Sequence, residues 1–164
     1  MIVIGLGANL ASPRYGGPQD ACEVALDALR AAGVAVLRCS RWYRSAPVPA
    51  SDQPWFVNAV AEVGTDLSAA ELLDLLHRIE REMGRERRVR DEARVIDLDL
   101  LIFGETVSGP SESPILPHPR LAERAFVVLP LAELAPDWRH PRTGQSLAGM
   151  AQALPADQQA EPIE

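Results

Sequence analysis

Apolar positions recur along the chain with two periods, and the switches between them mark its elements. Ile2, Val3 and Ile4 open an apolar run that stops at Gly5 and Gly7, which predicts a first buried strand. "SPRYGGP" is a loop by its Ser, Pro and Gly content. From Asp20 to Ala32, Cys22, Val24, Ala25, Leu26, Ala28 and Leu29 fit a helical face, with Gly33 as its stop. "VAVLRCSRWYRS" reads as one strand and "WFVNAVAEVGT" as its hairpin-like partner, across the proline-rich loop "APVPASDQP". "DLSAAELLDLLHRIEREMG" is the strongest helix. Ser68 and Glu71 form a capping box, Leu72, Leu73, Leu75, Leu76, Ile79 and Met83 make the buried stripe, and Gly84 can end it.

A charged loop, "RERRVRDEAR", leads into "RVIDLDLLIFG", residues 94–104. Side chains two apart on a strand share a face. Ile96, Leu98, Leu100 and Ile102 are therefore expected on one face, and Val95, Asp97, Asp99, Leu101 and Phe103 on the other. The order β-α-β-β-α-β is that of a ferredoxin-like α+β core. "PILPHPRLAERAFVVLPLAELAP" suggests one or two short helices with turns. The reading is one domain over residues 1–150, with 151–164 a polar tail expected to be frayed.

Two carboxylates on one strand face repel and are costly to desolvate unless a positive charge lies between them. A hard cation such as Mg²⁺, or a solvated edge paired with arginines, would each satisfy them. Seven of the 16 basic residues fall between Arg78 and Arg94, directly before the Asp pair. Arginines beside strand carboxylates suit a polyphosphate with its metal, since Arg holds phosphate oxygens and Asp holds the cation.

Composition narrows the chemistry further. The chain has 164 residues, 47% hydrophobic and 24% charged, with a net charge of −7. That acidity argues against nonspecific nucleic-acid binding. Every basic residue apart from His is Arg, so lysine Schiff bases and a Walker lysine are excluded. "GLGAN" lacks the third glycine of a dinucleotide fingerprint, and Cys22 and Cys39 have no metal spacing. His77, His118 and His140 are too dispersed for a zinc site. His118 sits between two prolines, in a loop suited either to binding or to a stabilising hydrogen bond. The apolar N-terminus lacks a charged leader and no run reaches a membrane span, so a cytoplasmic chain is expected. A noncatalytic ferredoxin-like ligand-binding or sensor domain is the alternative to an enzyme.

"GLGANL", "YRSAPV", "DQPWFVNAV", "RIEREMGR", "RVIDLDLL" and "LPHPRLAERAFVVLP", in this order, resemble the 6-hydroxymethyl-7,8-dihydropterin pyrophosphokinase family of folate biosynthesis. The resemblance runs from residue 1 to about Pro136. It implies transfer of the β,γ-pyrophosphoryl group of ATP to the hydroxymethyl of a reduced pterin, with release of AMP. It implies two Mg²⁺ ions at Asp97 and Asp99, with Asp97 also able to accept the hydroxyl proton. Arg85 and Arg94 match catalytic-loop arginines, and Arg87 and Arg90 match further ATP contacts. His77, Glu80, Leu100, His118 and Arg124 match ATP-binding positions. Ser45, Ala46 and Val48 match the loop whose backbone reads the pterin edge, Phe56 and Phe126 the pair that sandwiches it, and Asn58 its amide partner. The implied partners are these small molecules alone, without nucleic acid or membrane, and the implied state is a monomer. The chain departs from the family's frequent pattern at Asp91 and Ala93, where an aromatic and a proline are usual, at Ala46, where Pro is frequent, and in "GAN" for "GSN".

Overall fold

The computed structural model describes residues 1–84 and 95–163. Its elements are β1 (Ile2–Ala8), α1 (Pro18–Ala31), β2 (Ala35–Cys39), β3 (Tyr43–Ser45), β4 (Phe56–Gly64), α2 (Ala69–Glu82), β5 (Asp97–Phe103), α3 (Ala125–Leu134), α4 (Leu147–Ala153) and β6 (Ala160–Pro162). A 3₁₀ turn, Leu121–Glu123, precedes α3. The strands form one six-stranded sheet in the order β5-β1-β4-β3-β6, with β2 also paired to β4. All the strand pairs are antiparallel. This is an α+β fold with the ferredoxin-like core that the pattern predicts.

Strand alternation divides the core in two. Ile4, Leu6, Ala61, Val63, Leu98 and Leu100 face α1 and α2, where Leu29, Leu72, Leu76 and Ile79 are buried among them. Each such fully buried aliphatic contributes about 1.5–3 kcal/mol relative to exposure. Val3, Val60, Leu101 and Ile102 face the opposite way, against Val127, Val128 and Leu131 of α3 and Leu147 and Met150 of α4. α2 begins as its sequence dictates. Glu71 N–H donates to Ser68 Oγ at 3.1 Å, and Ser68 N–H donates to Glu71 Oε1 at 3.0 Å.

The structure corrects two expectations. The single strand expected over 34–45 is split, because Ser40 breaks its ladder. Val60 N–H donates to Ser40 Oγ at 3.1 Å, and that hydroxyl donates to the Arg41 carbonyl at 2.8 Å. A side chain thus takes the place of a main-chain partner. The β1–β5 register also shifts between Val3 and Ile4, so Val3 pairs with Ile102 and Ile4 with Leu100. This bulge reverses the alternation after Leu101. Ile102 joins the α3 side and Phe103 packs on the α1 side, opposite to the simple two-residue period. Near its end the chain carries one more strand. β6 pairs with β3, Arg44 opposite Glu161, and Arg44 Nε donates to Glu161 Oε1 at 2.6 Å. Main-chain pairing to β3 orders a segment that composition alone marks as polar. α4 also lies in a stretch to which the pattern assigns no element, and it crosses the boundary expected at residue 150.

Removing the α2 cap tests the local account. Ser68→Ala should lower unfolding free energy by about 1 kcal/mol. Denaturant titration should show this as a lower midpoint with an unchanged slope.

Candidate active site

The site grows out of two glycines on the central strand. Gly5 and Gly7 lie on the α3 side of β1, the face that carries Asp97 and Asp99 on β5 and Asn58 and Val60 on β4. The register sets Asn58, Gly7 and Asp97 in one row, and Val60, Gly5 and Asp99 in the next. A Cβ on Gly7 would stand 2.9 Å from Asn58 Nδ2. The glycines therefore leave a hollow floor between an amide and two carboxylates. α3 packs over the other end of this face, at Val3, Leu101 and Ile102, and does not fill the hollow.

The cavity above that floor has a volume of about 660 Å³. This lies within the range that holds a drug-sized ligand. Its walls include Ala46, Val48, Phe56, Asn58, Asp97, Asp99, Arg124 and Phe126. Ser45 does not stand on that wall. It is buried behind Asn58, and its hydroxyl donates to Asn58 Oδ1 at 2.5 Å. That bond fixes the amide with Nδ2 over Gly7. The N–H of Ala46 already donates to the Gln159 carbonyl at 3.0 Å, so half of the Ala46 backbone is engaged.

A second cavity of about 310 Å³ runs along the outer edge of β5. His77, Glu80, Leu98, Asp99, Leu100 and His118 line it, and Asp99 lines both cavities. The loop carrying His118 is held to β5 by its N–H, which donates to the Leu101 carbonyl at 2.9 Å. The structure thus gathers every described residue singled out from the sequence, except Ser45, around two cavities that meet at one carboxylate. Arg85, Arg87, Arg90, Asp91, Ala93 and Arg94 lie outside the described residues.

Electrostatics follow from this packing. Arg124 Nη1 stands 3.5 Å from Asp99 Oδ2, and its guanidinium lies 5.5 Å from the centre of the Phe126 ring. Glu80 is buried, and Leu98 N–H donates to its Oε2 at 3.0 Å. Burial pushes the Glu80 carboxyl well above the usual range. Asp97 and Asp99 push it the same way, against the opposing effect of the Leu98 N–H. His118 is pushed down to about 4, first by burial and then by Arg124 and Arg120. Its Nδ1 accepts from Arg120 N–H at 3.2 Å, which leaves the proton of the neutral ring on Nε2.

The donor set at the meeting point is carboxylate oxygen, from Asp97 and Asp99 with Glu80 beside them. Among the described residues no group of three or more His, Cys, Asp or Glu side chains is gathered for a metal. The oxygen donors of Asp97 and Asp99 are of the hard kind that a cation such as Mg²⁺ takes, one or two carboxylates at a time.

Sequence reasoning gave Asn9, Gln53 and Gln158 no role. Asn9 is buried, and its Nδ2 donates to Gln53 Oε1 at 3.0 Å and to the Pro54 carbonyl at 3.2 Å. This ties the end of β1 to the loop that brings Ser51 and Gln53 to the larger cavity. Asn9 and Gln53 fall inside the "GLGANL" and "DQPWFVNAV" segments, which was their available signal. Gln158 has none, because its partners lie far away in sequence.

Two outcomes test this geometry. Gly7→Ala should cost about 1–3 kcal/mol, as overpacking does. It should also shift the Asn58 side-chain amide resonances, read by denaturation and NMR. His118 should make stability fall with acid, because its folded pKa of about 4 lies below the ordinary 6.5. The unfolded chain binds the extra proton between those values, so stability is intact above about 6.5 and is lost as pH drops toward 4. Allowing for partial exposure, the loss should be on the order of 1–2 kcal/mol relative to His118→Gln, measured by urea titration at several pH values.

Comparison with known proteins fits these observations. The chain is 41% identical over 155 residues to the 2-amino-4-hydroxy-6-hydroxymethyldihydropteridine pyrophosphokinase of Pseudomonas aeruginosa, covering 94% of this chain and 91% of that protein. It is 40% identical to the protein of the same name from Synechocystis sp., over 88% of this chain and 71% of that one. It is 39% identical over 99% of its length to the folic acid synthesis protein fol1 of Pneumocystis carinii, but spans only 21% of that longer protein. The sequence model for 7,8-dihydro-6-hydroxymethylpterin-pyrophosphokinase matches residues 3–136, and the chain belongs to that family.

Proposed function

We propose that this protein transfers the pyrophosphoryl group of ATP to the hydroxymethyl of 6-hydroxymethyl-7,8-dihydropterin, releasing AMP, as a step of folate biosynthesis. The observation that carries the reading is the meeting of two cavities at Asp99, one floored by Gly5 and Gly7 and the other along the β5 edge. The larger cavity suits the pterin. Phe56 and Phe126 offer faces for its ring, while Asn58, oriented by Ser45, offers an amide to its polar edge. The backbones of Ala46 and Val48 line the same wall. The edge cavity suits the nucleotide, with His77, Glu80, Leu100 and His118 around it.

Asp97 and Asp99 would hold two Mg²⁺ ions together with the triphosphate. When bound, the metal supplies charge neutralisation on the phosphate oxygens. Arg124, beside Asp99, would hold a phosphate oxygen at the junction. The Nε2–H of neutral His118 would donate to the nucleotide. Asp97 would accept the proton of the hydroxymethyl as its oxygen attacks the β-phosphorus, while AMP leaves with the bridging oxygen. Arg85 and Arg94 are proposed to stabilise charge on the moving group, and Arg87 and Arg90 to bind ATP; these four lie outside the described residues. Phosphoryl transfer depends mainly on positioning and electrostatics, which this set supplies. The partners we propose are ATP and the reduced pterin, without nucleic acid or membrane, and the working state a cytoplasmic monomer. The net charge of −7 argues against nonspecific nucleic-acid binding. The noncatalytic sensor reading gains no support from the family to which the chain belongs.

Protein incubated with ATP, Mg²⁺ and the reduced pterin should release AMP in step with the pterin diphosphate. Asp97→Asn and Asp99→Asn should each keep the native circular dichroism and lose on the order of 10²-fold or more in turnover. Near-normal turnover in both variants would overturn the metal assignment, and no AMP from the wild type would overturn the function.

A further inference from the structure

The last part of the chain lies beyond residues 3–136 matched by the family model, yet it borders the larger cavity at Ala153, Pro155 and Gln158. Gln158 spans a gap between elements. Its Oε1 accepts from Ala125 N–H at 2.8 Å, and its Nε2 donates to the Glu123 carbonyl at 2.7 Å. Ala125 is the first residue of α3, and the early N–H groups of a helix have no partner inside it. Arg124 at the N-cap makes no side-chain capping bond. A glutamine amide has both a donor and an acceptor, so Gln158 caps this helix from a distant part of the chain.

The next residue holds the facing wall. The Gln159 carbonyl accepts from Ala46 N–H at 3.0 Å, and Ala160 then pairs with Ser45. Two consecutive residues therefore grip both sides of the cavity. One side carries Arg124 and Phe126, which flank Ala125, and the other is the loop that continues from Ala46. The contact at Ala46 requires an N–H, which a proline at this position would not have. Among the described residues, none after Pro119 lines the edge cavity.

We infer that Gln158, with the carbonyl of Gln159, is a positioning residue of the pterin pocket. It sets the spacing between Phe126 and the loop beginning at Ala46, and so controls pterin affinity without touching the phosphates. The inference rests on the pyrophosphokinase reading for the identity of the ligand. Gln158→Met keeps the length of the side chain and loses both hydrogen bonds. Gln158→Glu keeps the acceptor for Ala125 N–H, and Ala46→Pro removes the donor on the other wall.

The test combines pterin binding by calorimetry with an unreactive ATP analogue present, the KM of each substrate, and amide exchange in the unliganded protein. Gln158→Met and Ala46→Pro should each weaken pterin binding by roughly three- to tenfold, the scale of one or two ordinary hydrogen bonds, with KM for ATP within about twofold of wild type. Ala125 N–H should exchange faster in Gln158→Met, and Gln158→Glu should recover part of the pterin affinity. Unchanged pterin affinity alongside faster Ala125 exchange overturns the inference, as does a parallel rise in KM for both substrates. If Gln158→Met does not fold, Gln158→Glu and Ala46→Pro carry the same comparison. Wild-type protein that binds no pterin and releases no AMP overturns the functional reading and this inference with it, whereas failure confined to the variants overturns the inference alone.

Discussion

The central strand carries side chains on only one face over much of its length, and the rest of the molecule is arranged around that asymmetry. Ile4, Leu6 and Ala8 pack toward α1 and α2, whereas Gly5 and Gly7 put no side chain on the other face, where Leu101 lies against Gly5 and Asn58 against Gly7. α3 and α4 cover that face only where Val3, Val60, Leu101 and Ile102 supply apolar contact. The remaining area becomes a cavity whose floor is backbone and whose corners are Asn58, Asp97 and Asp99. The close approach of Asn58 to Gly7 shows how little space a methyl group would find there.

The same asymmetry decides where charge can collect. Carboxylates deep in the sheet would meet a large desolvation penalty. Asp97 and Asp99 avoid much of it because β5 is an edge strand and both are partly exposed to the cavity. Glu80 is buried beside the edge cavity and responds differently, with its carboxyl pushed toward the neutral form by burial. Arg124, at the N-cap of α3, brings a positive charge to Asp99, so the helix that closes the core also tunes the site. His118, kept neutral by burial and by nearby arginines, adds a donor without adding charge.

The walls depend on contacts between distant segments. Asn9 holds the 51–54 loop, Ser45 orients Asn58, and the terminal strand β6 extends the sheet beside β3. Glu133 of α3 is fastened to the strand region as well, by Arg41 Nε at 2.8 Å and by the Tyr43 hydroxyl. Such tethers fix the distance between α3 and the sheet, and the cavity width follows from it.

Local pattern by itself determined much of this protein. The β-α-β-β-α-β order, the helix stripes, the Ser68 capping box and the shared face of Asp97 and Asp99 are all set by neighbours within a few residues, through strand alternation and helical period. The motif segments likewise marked most of the residues that surround the two cavities. Only the tertiary structure decided the break at Ser40, the bulge that reverses Ile102 and Phe103, the place of Ser45 behind Asn58, and the ordering of the polar end through Gln158 and β6. Those features rest on hydrogen bonds and registers between residues well separated in sequence, such as Gln158 with Glu123, 35 positions apart. A one-dimensional pattern carries no information about which of many polar groups will meet, because that depends on where packing brings the backbone.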